Sequence, residues 1–118
     1  MSEKPFDIEL YETSSGSAPV REFLRALPKE PRTKCGKYMQ LMEWRGLAIP
    51  ASYIKKIAGE IWELRPEYNG VEYRLFFGCE GATFVFVHAI VKKRQQTARA
   101  DIEIAQRRFI EWRSRNDG

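Results

Sequence analysis

The stretch IWELRPEYNGVEYRLFFGCEGATFVFVHAIV, residues 61–91, decides the fold of this chain. Its apolar, β-branched and aromatic residues come in three runs. Turn-forming residues separate these runs, namely Pro66, Asn69-Gly70 and the segment 78–81. Strands joined by turns this short run antiparallel. The stretch therefore predicts a three-stranded antiparallel meander with strands at 61–65, 71–77 and 83–91.

One strand and two helices are predicted before the meander. Phe6, Ile8 and Leu10 alternate with polar residues, which is the period-two pattern of a half-buried strand. A first helix is predicted over residues 19–27, because proline is favoured in the first turn of a helix and a second proline ends it. Apolar residues at i, i+3, i+4 and i+7 predict a second helix over residues 31–45, with a glycine as its C-terminal stop.

A third helix is predicted after the meander, over residues 98–113. Thr97 is the predicted N-cap, and Asp101 lies near the positive N-terminal end of the helix. Residues 47–58 are predicted to be a connection that holds a short helical turn at most. The apolar residues of the third helix recur at 4-3-4-3 spacing and form one stripe: Ala98, Ile102, Ala105, Phe109 and Trp112.

These elements predict one α+β domain spanning residues 1–118, in the order β-α-α-β-β-β-α. A small antiparallel sheet carries the N-terminal helical hairpin on one face, and the C-terminal helix completes the domain. The other face of the sheet is expected to be at least partly open, and a functional site is expected there. A chain of 118 residues is long enough to bury a single hydrophobic core.

The composition indicates a protein of a reducing compartment. Cys35 and Cys79 have no metal-ligand spacing and are predicted to be free thiols. No apolar run approaches the roughly 18–20 residues of a membrane span. The N-terminal sequence MSEKPFDIEL lacks the apolar core of a signal peptide. A cytoplasmic location is therefore expected.

The positive charge is concentrated at the C-terminal end of the chain. Residues 92–118 carry eight Lys/Arg against four Asp/Glu, which accounts for the whole formal net charge of +4. Residues 1–91 are therefore balanced. Such local basicity indicates a polyanionic partner, although a solvated helix face rich in arginine would have the same composition.

Side-chain alternation along the predicted strands brings cations to one face of the sheet. If the apolar residues of one parity pack against the helices, Arg65 and Arg74 emerge on the exposed face. Whatever the register of the last strand, one of Lys92 and Lys93 points to the same side. With Tyr68 on the bordering loop, these residues form a predicted phosphate-binding surface, since arginine can bind a phosphate through two hydrogen bonds.

Several short motifs together resemble the phage Gp49-like, HigB-type branch of the RelE/ParE toxin superfamily. The resemblance runs over most of the chain, is strongest from residue 60 to residue 108, and implies a RelE-like fold of the predicted element order. The motifs are Ile61–Arg65, Tyr73-Arg74, Val87–Lys93, Gln96-Thr97 and Asp101–Arg108.

This resemblance implies a toxin of a type II toxin–antitoxin pair that cuts mRNA, usually in the ribosomal decoding site. Cleavage by the RNA's own 2′-OH needs no metal, but the hydroxyl must lose its proton, the charge on the phosphate must be stabilised, and the leaving 5′-oxygen must gain a proton. Arg65 and Arg74 are predicted to stabilise the transition state. Lys92 or Lys93 is predicted to bind the phosphate or to carry a proton. The predicted RNA contacts are Tyr68, which would stack on a base, His88, Arg94 and Arg99.

The resemblance also implies a set of partners. These are a helix-turn-helix antitoxin, mRNA, the ribosome, and operator DNA only as the toxin–antitoxin complex; no metal, cofactor or membrane is expected. One alternative is a non-catalytic toxin, either a gyrase inhibitor of the ParE kind or a nucleic-acid-binding module. Another is a degenerate toxin that is kept only as an interaction partner. The Lys92-Lys93 pair favours the nuclease, because gyrase-directed relatives generally lack this basic cluster.

Each candidate site residue also has a purely structural interpretation. Arg65 and Arg74 could be ion-paired across the sheet with Glu63, and with Glu72 or Glu67. The basic run after the last strand could be a solvated strand end. The one histidine lies within an apolar strand, where it could be hydrogen-bonded and structural, and an isolated histidine makes a poor metal site.

Overall fold

The computed structural model describes residues 3–93 and 97–116 as a mixed sheet with three α-helices. Two short 3-10 turns, Gly46–Ala48 and Ala51–Tyr53, connect the second helix to the second strand. The α+β class is thus confirmed, and the finer RelE-like arrangement stays a prediction. In chain order the elements are β1 (Asp7–Leu10), α1 (Pro19–Ala26), α2 (Lys29–Arg45), β2 (Ile54–Ala58), β3 (Ile61–Leu64), β4 (Glu67–Tyr68), β5 (Val71–Glu80), β6 (Thr83–Val91) and α3 (Arg99–Asn116).

The sheet has the strand order β1-β6-β5-β3-β2, with β4 paired to β5 alone. The meander β3-β5-β6 is antiparallel, as predicted. The expectation of a purely antiparallel sheet is wrong, because β1 pairs with β6 in parallel from Asp7 opposite Thr83 to Leu10 opposite Phe86. No tight turn links these two strands, so nothing local fixes their relative direction.

The turn between β4 and β5 forms at the predicted residues. Asn69 and Gly70 both have positive φ angles, 52° and 82°. This is the backbone of a two-residue hairpin turn whose twist matches that of the flanking strands. The turn sets Tyr68 opposite Val71 and Glu67 opposite Glu72.

The segment 47–58 contains a strand that the sequence did not reveal. β2 pairs antiparallel with β3, from Ile54 opposite Leu64 to Ala58 opposite Ile61. The predicted connection is therefore wrong over β2, whereas its short helical turn is present at Ala51–Tyr53. Two adjacent exposed lysines interrupt the apolar alternation of β2. Lysines are common on edge strands, because they discourage pairing with another chain.

The core lies on both faces of the sheet. One face packs against α1 and α2, and the other packs against α3, so the expectation of an open second face is wrong. Gly78 on β5 permits this close contact, because a Cβ atom there would lie 2.6 Å from the ring of Phe109 on α3. The buried residues of the α3 face are Tyr11, Ile61, Phe76, Val85, Val87, Ala105, Phe109 and Trp112.

The helix bounds differ slightly from the predicted ones. α2 begins at Lys29 instead of near Pro31, and α3 begins at Arg99. Thr97 therefore lies one residue too early to be the N-cap of α3. The carbonyl of Ala98 accepts hydrogen bonds from the backbone N–H groups of Asp101 and Ile102.

The two cysteines are free, as predicted. Burial raises the pKa of the Cys35 thiol to about 11, and burial also raises the pKa of Cys79. Neither thiol is therefore activated as a nucleophile, since the reactive form is the thiolate.

Candidate functional site

A buried ion pair lies at the centre of the candidate site. Glu63 on β3 and Arg74 on β5 are only 2% and 1% exposed, and Arg74 Nε lies 3.2 Å from Glu63 Oε1. Both side chains point to the face that α3 covers, since Arg74 is two residues before Phe76 of that core. A buried charge is costly unless it is paired, so each of these residues depends on the other.

The position of Arg74 corrects its predicted exposure on an open face. Its Nη1 donates a hydrogen bond to the carbonyl of Tyr73 at 3.0 Å, and its Nη2 donates to Glu72 Oε1 at 2.7 Å. Its Nε makes no hydrogen bond, despite the short distance to Glu63. The guanidinium group therefore binds protein groups and leaves no open surface on which RNA could lie.

Arg65 lies on the same face of the sheet but remains partly accessible. Its side chain is 31% exposed, and its Nε lies 3.4 Å from the same Glu63 Oε1 that faces Arg74. The backbone N–H of Arg65 donates to the carbonyl of Tyr53 and fixes the end of β3. The ion-paired interpretation is thus confirmed for both arginines, with Glu63 and Glu72 as the acids.

Glu72 connects this network to the lysines at the end of β6. The hydrogen bond from Arg74 lowers the pKa of Glu72, and the charges of Arg74, Lys92 and Arg65 lower it further. The backbone N–H of Lys92 donates to the Glu72 carbonyl at 2.8 Å. Arg74 therefore binds the Glu72 carboxylate directly, and Lys92 is joined to the same residue through its backbone. Lys93, the next residue, is exposed.

Thr97 attaches the start of α3 to the buried pair. Its hydroxyl donates to Glu63 Oε2 at 2.7 Å, so Glu63 interacts with three different side chains. Beside this contact is a cavity of about 290 Å³, which brings the two lysines next to apolar and acidic groups. The cavity is lined by Ile90, Val91, Lys92, Lys93, Thr97, Ala98 and Asp101.

His88 lies on β6 with both ring nitrogens engaged. Its Nε2 is 2.8 Å from Asp101 Oδ1, and its Nδ1 is 3.3 Å from Arg108 Nη1. Its ring also stacks on Phe76, with 5.5 Å between the centroids. These contacts favour the structural interpretation, and an RNA contact by His88 stays a prediction.

Tyr68 and Arg99, two of the remaining predicted RNA contacts, lie on different elements, β4 and α3. Tyr68 lines a different cavity, of about 340 Å³, on the side of the sheet that packs against α2. Arg99 is 92% exposed on α3 and pairs with Glu103. Arg94 lies outside the described residues. Together with Tyr68, the second cavity is lined by Lys29, Glu30, Thr33, Lys34 and Lys37.

Sequence reasoning missed the acid at the centre of the site and the partners of the histidine. The sequence indicates Glu63 only as a possible ion-pair partner of an arginine. Its position between Trp62 and Leu64 in an apolar strand is the signal that such a pair is buried. Asp101 and Arg108 reach His88 only because α3 packs against β6, and no local pattern indicates that contact.

The part of the chain that the structure describes offers neither a cluster of metal ligands nor a membrane-spanning helix. Within residues 3–93 and 97–116, no three His, Cys, Asp or Glu side chains come together as a metal site. Among the helices of the same ranges, none combines the length and the apolar character needed to cross a bilayer.

The fold and the site define a small α+β domain with a cationic sheet end, which is suited to binding an anionic partner. Residues 22–110 match the model of the family described as Phage derived protein Gp49-like (DUF891). Because this match covers most of the chain, the protein belongs to that family, which is the RelE/HigB-like toxin family. No curated protein is a significant match to the chain.

Proposed function

We propose that this protein is the toxin of a type II toxin–antitoxin pair and that it cleaves ribosome-bound mRNA without a metal ion. The observation that supports this most is that Arg65 and Arg74 share the Glu63 carboxylate next to Lys92 at the end of β6. Lys92 lines an open cavity, and its backbone N–H bonds the carbonyl of Glu72, the acid that Arg74 binds. Lys93 adds an exposed charge at the same strand end. An RNA phosphate in contact with Arg65, Lys92 and Lys93 would release counterions, which favours binding.

The solvent exposure of each side chain decides the role that we propose for it. Arg65, Lys92 and Lys93 can reach a phosphate, and their charges would stabilise the pentacoordinate transition state. One of the two lysines would also carry the proton for the 2′-OH or the leaving 5′-oxygen. Arg74 is a positioning residue, because it acts through Glu63 and Glu72 and does not touch the substrate.

Membership of a toxin family implies an antitoxin partner. We propose a helix-turn-helix antitoxin that covers the cationic sheet end, since an acidic segment would compete with RNA for the same charges. In this proposal the toxin meets operator DNA only within that complex, and it acts in the cytoplasm, where mRNA is translated.

A second candidate function is supported by the acids within the site. Glu63 and Glu72 compensate much of the charge of Arg65 and Arg74. This neutralisation favours a non-catalytic toxin, either a nucleic-acid-binding module or a gyrase inhibitor of the ParE kind. Such a protein would provoke a DNA-damage response or bind nucleic acid without cutting it.

The decisive experiment is to map mRNA 5′ ends after incubating the purified protein with translating ribosomes. We expect new 5′ ends with the wild type, and a loss of at least tenfold in cleavage rate for Arg65→Ala or Lys92→Ala. Lys4→Ala is the matched control, because Lys4 precedes β1 at the opposite end of β6 and pairs with Glu43. Intact mRNA with the wild type would leave the non-catalytic candidate.

A further inference from the structure

The cavity beside Lys92 has a volume and a set of lining residues that suit one flat aromatic ring. Its volume of about 290 Å³ lies just below the roughly 300–1,000 Å³ typical of sites for drug-sized ligands. Ile90, Val91 and Ala98 offer apolar contact, and two lysines supply positive charge. A nucleobase with its phosphate has this combination of an apolar face and an anionic attachment.

Asp101 supplies the only carboxylate among the residues that line this cavity. Arg108 Nη1 donates to His88 Nδ1, so the ring proton of His88 is on Nε2, which donates to Asp101 Oδ1. Arg108 is held in turn by the Val87 carbonyl at 2.8 Å. Within residues 3–93 and 97–116, Oδ2 of Asp101 accepts no hydrogen bond.

Asp101 therefore offers a nucleobase-sized pocket its Oδ2 and the second lone pair of Oδ1, both of which are acceptors. An ionised carboxylate accepts two parallel hydrogen bonds but donates none. On its Watson–Crick edge, guanine presents two neighbouring donors, N1–H and the N2 amino group. Adenine and cytosine each place a ring-nitrogen acceptor beside their amino group, and uracil flanks its single N–H with two carbonyls. Only guanine matches a carboxylate at two points.

We propose that this cavity binds a guanine base of the RNA and that Asp101 determines this specificity. The proposal rests on the proposed function, since it assigns the base next to the phosphate that Lys92 and Lys93 would hold. His88 and Arg108 act as positioning residues for the carboxylate. In this arrangement the lysines supply affinity for any RNA, and Asp101 supplies discrimination between bases.

The test measures binding rather than cleavage, so that it does not depend on nuclease activity. The full chain is titrated by calorimetry with the 3′,5′-bisphosphates of guanosine, adenosine, cytidine and uridine. We expect the guanosine compound to bind roughly tenfold or more tightly than the others, as expected for a two-point hydrogen-bonded contact. Amide chemical shifts that change at Ile90 and Thr97 would place the ligand in the cavity.

Asp101→Asn provides the sharpest variant. In a two-point contact an asparagine side chain donates one hydrogen bond and accepts one, which matches the Watson–Crick edges of adenine and cytosine. We expect this variant to lose the guanosine preference and to bind the adenosine compound several-fold better than the wild type does. Glu103→Gln is the matched control, because it removes a charge two residues away on an exposed side chain that pairs with Arg99. Thermal unfolding of both variants shows whether each is folded.

Two results would overturn the proposal. One is equal binding of all four compounds by the wild type, and the other is a guanosine preference that survives Asp101→Asn in a folded protein. Equal but salt-dependent binding would still support the phosphate-binding surface. Conversely, a guanosine preference without mRNA cleavage on ribosomes would support the base pocket and contradict the nuclease.

Discussion

Arg74 Nε lies 3.2 Å from Glu63 Oε1 in the interior of the protein, where both side chains are almost completely buried. The same carboxylate oxygen is 3.4 Å from Nε of the more exposed Arg65. One acid therefore holds a buried arginine and an accessible one side by side. Arg74 is thus placed to stabilise the fold, whereas Arg65 is accessible to the RNA that we propose as the substrate.

Replacement of each arginine by alanine should separate these two contributions. Arg74→Ala leaves Glu63 buried with fewer partners, so we expect a loss of about 3–5 kcal/mol in the free energy of unfolding. Arg65→Ala removes a partly exposed pair and should cost less than about 1 kcal/mol. Urea unfolding, monitored by tryptophan fluorescence, measures the free energy of unfolding of both variants. Equal losses would contradict the assignment of Arg74 as the buried partner.

Removal of both buried charges should destabilise the fold less than removal of one of them. We expect Glu63→Leu/Arg74→Met to be at least about 1 kcal/mol more stable than either single variant, because no unpaired charge stays in the core. The side-chain partners that remain, Arg65, Glu72 and Thr97, are each partly exposed and can be hydrated. A double-mutant cycle by urea unfolding tests this. Strict additivity of the two losses would show that the pair is not coupled.

Lys92→Ala and Lys93→Ala should each lower the salt dependence of RNA binding. Each phosphate contact with single-stranded RNA contributes about 0.7 to the slope of log K against log salt. We therefore expect each variant to reduce the slope by roughly that amount, measured by fluorescence anisotropy with a short labelled RNA. The Lys4→Ala control should leave the slope unchanged. An unchanged slope for both lysine variants would exclude this strand end as the phosphate contact.

Gly78→Ala should destabilise the packing of α3 on the sheet. The added Cβ atom would lie 2.6 Å from the Phe109 ring, and overpacking of this kind typically costs about 1–3 kcal/mol. Gly36→Ala is the matched control, because its Cβ would meet no atom within 4 Å. Alanine is favoured over glycine in a helix, so this control should gain about 0.5–1 kcal/mol. Thermal unfolding of both variants tests whether Gly78→Ala lowers the stability and Gly36→Ala raises it.

Acid should destabilise the fold through three exposed carboxylates. Their folded-state pKa values lie below the ordinary value of 4.5, so their stabilising contribution is complete above about pH 4.5 and is lost as the pH falls through the lowered values. Each accepts a side-chain hydrogen bond: Glu60 from Arg113, Glu72 from Arg74 and Glu111 from Tyr11.

The thermal midpoint, measured from pH 7 to pH 3, should therefore decline below about pH 4.5. The triple variant Glu60→Gln/Glu72→Gln/Glu111→Gln should start lower and decline less, because its glutamines do not titrate. An equally steep decline in that variant would assign the acid sensitivity to other carboxylates.

The sequence alone determined the elements that depend on local chemistry. The Asn69-Gly70 turn, the β3-β5-β6 meander and the apolar stripe of α3 follow from turn residues and from apolar periodicity, which act over a few residues. The same local motifs identified the toxin family, which the match over residues 22–110 confirms. Side-chain parity also placed Arg65 and Arg74 correctly on one face of the sheet.

Only the tertiary structure decided what covers that face. α3 packs there through Phe109 against Gly78, and its docking brings Thr97 to Glu63 and Asp101 to His88. The parallel pairing of β1 with β6 is equally non-local. Contacts between residues far apart in the chain depend on the free energy of docking whole elements, and no short pattern in the sequence encodes that energy.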